Sequence, residues 1–329
     1  MLRFFRSSNS VVVITILLIG VLTWAHVLFG EYGINSSDKY SAFAFQTLSG
    51  WFAANGLLPW FGLVFFLLAA ILLTYANSRL RLIDKNSFLP ALCYILLIGG
   101  IPEIHQFNPV VIATILLVAG FVFLVRSFES DRLSYMYFIV PIFISAATFF
   151  YQYMYVYMLV VWFAIALWRP GYWREWAFSI LGFALPLFFM FSWFVLVEDD
   201  YSRVGVFYSE ILTLQRVSPS FSIPTIVFSA LGVAVTVISF GYMMRHVGSK
   251  KIIIRNGYYI LILTAVITIA LISAVPDMIP FAWYLLAFPM SFVISNYLAT
   301  VKSMRWGNVV LIVLFVGVIV AQAIYFSTE

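Results

Sequence analysis

The chain is a succession of mainly apolar runs separated by short polar breaks. The runs occupy roughly 11–30, 57–76, 87–101, 109–125, 136–150, 153–168, 177–197, 225–244, 258–276, 281–299 and 307–326. A helix crossing the hydrocarbon of a bilayer needs about 20 such residues. Within lipid the backbone must satisfy its own hydrogen bonds, which a helix does. The pattern therefore predicts an all-α, polytopic transmembrane bundle of eleven spans that forms one domain over 1–329. Arg3 and Arg6 ahead of the first run resemble the start of a signal peptide. However, Val11–Gly30 is of spanning length and no small-x-small cleavage site follows it, so it reads as a retained helix.

The breaks alternate in charge, and this orients the bundle. One set holds Arg3 and Arg6, then Arg79, Arg81 and Lys85, then Arg126 and Arg132, Arg169 and Arg174, Arg245, Lys250, Lys251 and Arg255, and finally Lys302 and Arg305; these are 15 of the 18 basic residues. The other set holds only Lys39, Arg203 and Arg216. Because basic connections stay cytoplasmic, the amino terminus is expected inside and the carboxyl terminus outside. Reading 136–168 as one long helix would reverse every later connection and leave nine basic residues on each side. The charge bias thus favours a hairpin there.

Composition agrees. Hydrophobic residues make up 64% of the chain and charged residues 9%, against about a quarter charged in a soluble domain, so lipid must solvate most of the surface. The single cysteine, Cys93, excludes an internal disulfide, and no Cys/His spacing suggests a metal centre. The net charge of +5 follows from topology and implies no nucleic-acid partner.

Candidate chemistry lies on the predicted outer face, which carries nine of the thirteen acids. No predicted span holds Asp, Glu, Lys or Arg near its middle. Proton-coupled carriers place a titratable group there, so a lipid or small-molecule transporter is the least favoured class. In the first outer segment, Asp38 precedes a stretch from Tyr40 to Trp51 suited to a short interfacial helix. Asp38 either caps that helix or serves as a carboxylate that takes a proton from an acceptor hydroxyl. The second outer turn sets Glu103 and His105 between Pro102 and Pro109. These two can bind a divalent cation, contact a phosphate, or simply be solvated. The third, 149–157, is rich in aromatics; Tyr151 and Tyr153 belong either to an interfacial belt or to a platform for a sugar or isoprenoid. In the fourth, Glu198, Asp199, Asp200 and Arg203 offer a hydrated loop or a contact for a cation or phosphate.

Two resemblances add to this. The segments Leu2–Asn9 (LRFFRSSN) and Phe88–Leu92 (FLPAL), the aromatic hairpin at 149–157, Trp168–Pro170 (WRP) and Trp173–Trp176 (WREW) resemble a family of uncharacterised bacterial multi-span inner-membrane proteins over about the first 200 residues. That likeness implies a bacterial cytoplasmic membrane and no assigned activity. The layout is also similar to the GT-C superfamily of membrane glycosyltransferases, which take sugars from polyprenyl-phosphate carriers. Asp38 matches the acid of their first outer loop, and Glu103, with His105 beside it, the acid between spans three and four; the short first loop and the lack of a second acid beside Asp38 depart from that pattern. The resemblance implies Asp38 as general base, Glu103 and His105 on a metal or on the leaving phosphate, and a polyprenyl-phosphate-linked sugar as partner. The competing reading is a non-enzymatic subunit that docks other membrane proteins through its outer loops.

Overall fold

The computed structural model describes residues 1–7, 9–29, 43–83, 87–129, 134–196, 222–275 and 279–328, and within them all regular structure is helical. In chain order the helices are α1 (Leu2–Phe5), α2 (Ser10–Thr23), α3 (Ala25–Phe29), α4 (Phe43–Ala54), α5 (Leu58–Leu80), α6 (Leu89–Gly99) and α7 (Pro109–Arg126). They continue with α8 (Met136–Thr148), α9 (Met158–Trp168), α10 (Trp173–Leu196), α11 (Ile223–His246), α12 (Ile252–Ala274), α13 (Ile279–Thr300) and α14 (Met304–Thr328). Seven of them, α5, α7 and α10 to α14, are long and apolar enough to cross a membrane, and shorter apolar helices cover Ser10–Thr23, Leu89–Gly99, Met136–Thr148 and Gln152–Trp168. The chain is a multi-pass helical protein suited to a lipid bilayer.

Local chemistry sets several of these boundaries. Asn108 accepts the Val111 N–H on Oδ1 at 3.1 Å and Pro109 opens α7, a side-chain cap joined to a residue with no amide to leave orphaned. The Ser87 hydroxyl accepts the Leu89 N–H at 3.2 Å at the start of α6. Arg81 closes α5 with a left-handed φ of 49°. Proline stands inside α8, α10 and α13 at Pro141, Pro186 and Pro289; packed neighbours let membrane helices tolerate it.

Between 148 and 158 the helix is interrupted by a turn and by the 3-10 segment Gln152–Tyr157. The two arms fold back on each other. Arg169, just past the end of α9, reaches the connection that leads into α8 and the first turn of α10: it donates to Ser127 O and to Glu175, and Ser134 donates to the same carboxylate. The hairpin expected at 136–168 is therefore formed.

Such contacts sort the connections onto two ends of the bundle. At one end Arg6 Nε donates to Leu298 O at 2.8 Å, Lys250 Nζ donates to Asn296 Oδ1 at 2.8 Å and Leu82 O at 3.3 Å, and Tyr242 donates to Thr300 O at 3.2 Å. Here the basic breaks gather. At the other end Gln322 Nε2 donates to Gly99 O at 2.8 Å and Thr23 O at 3.1 Å, Tyr284 donates to Ile104 O at 2.9 Å, and the Ala44 N–H donates to Phe149 O at 3.2 Å. This second end is aromatic.

Two helices form the hub. Every residue of α6 is buried, as is 89% of the apolar window of α13, whereas α10 and α14 bury only 17% and 22% of theirs. Lipid tails are as apolar as leucine, so helices associate in a bilayer through close packing rather than through escape from solvent. Glycine supplies that closeness: a Cβ at Gly62 would stand 3.1 Å from the Phe107 nitrogen, and one at Gly182 would strike the Phe138 carbonyl.

Candidate functional site

The aromatic end is organised by the turn 101–108, which links α6 to α7. Because α6 has only 11 residues, it rises about 16 Å, roughly half of a bilayer's hydrocarbon. Its neighbours overshoot it. Tyr284, which bonds Ile104 O, lies five residues inside α13, and Gln322, which bonds Gly99 O, lies six before the end of α14. The turn is thus sunk about 8–9 Å below those helix ends. In that position the last carbonyls of α6 and those of the turn need protein donors; Gln322 of α14 serves Gly99 O and Tyr284 of α13 serves Ile104 O.

His105 is at the centre of the turn and 3% exposed. Its Nε2 donates to Ile98 O at 3.1 Å, since a carbonyl only accepts. The ring lies between Trp24, at 4.9 Å between centroids, and His26, at 5.1 Å. His26 is also edge-on to Tyr325 at 5.6 Å. Burial first, and the charge His26 would carry second, push the His105 pKa down from 6.5 to about 3, with the carbonyls of Ile98 and Thr23 opposing. His105 is neutral across the physiological range and fixes the turn against α3.

Glu103, two residues earlier, leaves this packing and accepts the Ser222 N–H on Oε1 at 3.0 Å, ahead of α11. Glu103 and His105 therefore serve different surfaces. Among the described residues no three His, Cys, Asp or Glu side chains gather where a metal ion would sit, so the donors described here do not by themselves fit the divalent cation expected of Glu103 and His105. Glu103 is the only carboxylate at this end among the described residues; it is partly exposed.

Beside Glu103 an apolar groove of about 560 Å³ runs between α11 and α14, with Phe228, Leu231, Gly317 and Ala321 in its wall and Ser222 and Tyr325 at its polar mouth. On the opposite flank α4 covers the turn. Phe45 stacks on Phe107 at 4.9 Å and Phe52 on Phe61 at 3.8 Å, while Trp51 is exposed. The helix expected over 40–51 is observed at Phe43–Ala54.

Tyr151 and Tyr153 are each 1% exposed, edge-on to one another at 5.7 Å. They belong to the interior of the bundle, and of the aromatic turn Tyr155 alone among the tyrosines is exposed. Asp38 and Arg203 lie outside the described residues, as do Glu198, Asp199 and Asp200. The flanks of the Asp38 segment are described: α3 packs on His105 through His26, and α4 packs on Phe107 through Phe45.

Sequence reasoning did not find Trp24, His26, Gln322 or the groove. His26 had one available signal, as one of only three histidines, placed at the end of an apolar run. The groove had none, since its walls are about 90 residues apart in the chain. Comparison with protein-family models, with curated proteins and with solved structures finds no match.

Proposed function

We propose that the chain is a GT-C-like glycosyltransferase that takes a sugar from a polyprenyl-phosphate carrier at the aromatic end. In this reading it crosses a bacterial cytoplasmic membrane eleven times, with the basic end and amino terminus in the cytoplasm and the carboxyl terminus outside. The observation that carries it is the groove between α11 and α14, whose apolar walls end at a polar mouth beside the Glu103 carboxylate. A lipid-linked sugar presents that same sequence of chemistry, a long apolar chain and then a polar head.

Asp38 is the general base. Its segment leaves from α3 and returns at α4, both of which pack on the turn that carries Glu103. The Asp38 carboxylate accepts the proton of an acceptor hydroxyl as that oxygen bonds to C1 of the sugar; the bond from C1 to the phosphate oxygen breaks, and the polyprenyl phosphate leaves. Glu103 accepts hydrogen bonds from sugar hydroxyls, and His105 is a positioning residue that holds the turn.

The test is sugar transfer in liposomes holding the purified chain and a polyprenyl-phosphate sugar. Asp38→Asn is expected to abolish transfer while the protein stays monodisperse. Transfer at the wild-type rate by that variant reduces Asp38 to a helix cap and overturns the mechanism. Should the wild-type chain transfer no sugar and crosslinks from 198–224 capture a second membrane protein, the chain is instead a docking subunit.

A further inference from the structure

The opposite half of the bundle holds a second groove, unrelated to the reading above. It has a volume of about 310 Å³ between α2, α5 and α6, with Val13, Leu17, Ala70, Ile71, Phe88 and Ala91 in its walls. Along α5 it extends from Ala70 to Ser78, a rise of about 12 Å. At its basic-end side it is lined by Tyr75 and Ser78 of α5.

That side holds a cation. Arg79 Nε donates to the Tyr75 hydroxyl at 3.1 Å, and the guanidinium carbon is 5.2 Å from the centre of the same ring. The bond engages Nε, and the exposed Arg79 has no carboxylate partner among the described residues. The Tyr75 hydroxyl, which accepts from Nε, keeps its own proton to donate.

We infer that this groove binds one anionic phospholipid, with an acyl chain between α2, α5 and α6 and the phosphate on the Arg79 fork and the Tyr75 hydroxyl. A planar guanidinium matches two phosphate oxygens at once. The Arg79 charge also selects the headgroup: it repels the ammonium of a zwitterionic lipid and favours one that bears net negative charge. The apolar slot and the pre-set fork are built from different helices, and together they match both parts of such a molecule.

Native mass spectrometry of the full chain in mild detergent, with equal amounts of phosphatidylglycerol and phosphatidylcholine, tests this. The wild-type chain is expected to retain one phosphatidylglycerol with roughly fivefold to tenfold preference. Arg79→Gln should remove the preference, and Arg79→Lys, which keeps the charge but not the fork, should restore only part of it. Arg174→Gln, an equal loss of charge on α10, should leave it intact. Equal retention of the two lipids by the wild type, or undiminished preference in Arg79→Gln, overturns the site. Equally strong competition by free glycerol phosphate would show that the groove contributes nothing, and overturns it as well.

Discussion

Arg169 donates from Nη1 to the Glu175 carboxylate at 2.9 Å and from Nη2 to Ser127 O at 3.1 Å, with the side chains 8% and 1% exposed in the ion pair. Ser134 donates to the same carboxylate oxygen at 3.0 Å. The connection between α7 and α8, the one between α9 and α10, and the first turn of α10 meet on this pair.

Removing one partner strands the other charge in a buried site. Arg169→Ala is expected to cost about 3–5 kcal/mol, and the pair exchanged together for Met and Leu much less. The measurement is the temperature at which detergent-solubilised protein loses its monodisperse peak. An Arg169→Ala protein as heat-stable as the wild type would show that the pair does not hold the hairpin.

His105 predicts an acid sensitivity. Its folded pKa, about 3, lies below the unfolded value of 6.5, so below 6.5 the unfolded chain binds a proton that the folded chain refuses. Stability from this group is therefore present above pH 6.5 and is lost as pH falls towards 3, by roughly 1.4 kcal/mol per unit. His105→Phe keeps an aromatic ring in the stack and should flatten that dependence, at the expense of leaving Ile98 O without its donor. Unfolding followed from pH 7 to 4 in both proteins reads the difference; parallel curves would count against a buried neutral imidazole.

Gly100 ends α6 where Phe228 of α11 crosses it, and a Cβ there would be driven into the Phe228 ring. Gly100→Ala should destabilise by about 1–3 kcal/mol through overpacking. Phe228→Leu in the same chain should recover part of the loss, which thermal scans of the single and double variants would report. An additive double variant would mean that the two sites do not touch.

Cys93 is fully buried, so the native chain should be silent towards polar maleimides and single introduced thiols should report cleanly. Asn55→Cys, beyond α4, is expected to label in intact cells, and Ser303→Cys, between α13 and α14, only after permeabilisation. Labelling of both from one compartment would refute the opposed ends.

Much of the architecture was written in local pattern. The apolar runs, the proline-led starts of α6 and α7 and the amphipathic stretch now seen as α4 all depend on near neighbours, and near neighbours are what a sequence displays. The hairpin at 136–168 was legible through charge alone, because membrane topology couples distant loops to one rule. The candidate site was legible only in part. Glu103 and His105 stood out as polar groups between prolines, yet nothing in the chain tells that one side chain turns inward and the other out. Tyr151 and Tyr153 read equally well as surface or interior, since aromatic composition is shared by both. Arg169 looked like one more loop cation, and its partnership with Glu175 depends on a reversal that spacing does not encode. The groove between α11 and α14 is made by helices remote in sequence, and the other needs α2 to close against the consecutive pair α5 and α6.

The enclosure of α6 and α13 divides the molecule into a hub and a rim, and these should drift at different rates. Lipid asks of α10 and α14 little more than greasiness, so leucine, valine, isoleucine and phenylalanine there are nearly interchangeable. The residues of α6 are fitted to other side chains on every side, and a methyl group more or less is felt. Relatives of this chain should therefore be recognisable by a constant axis long after their outer helices have diverged.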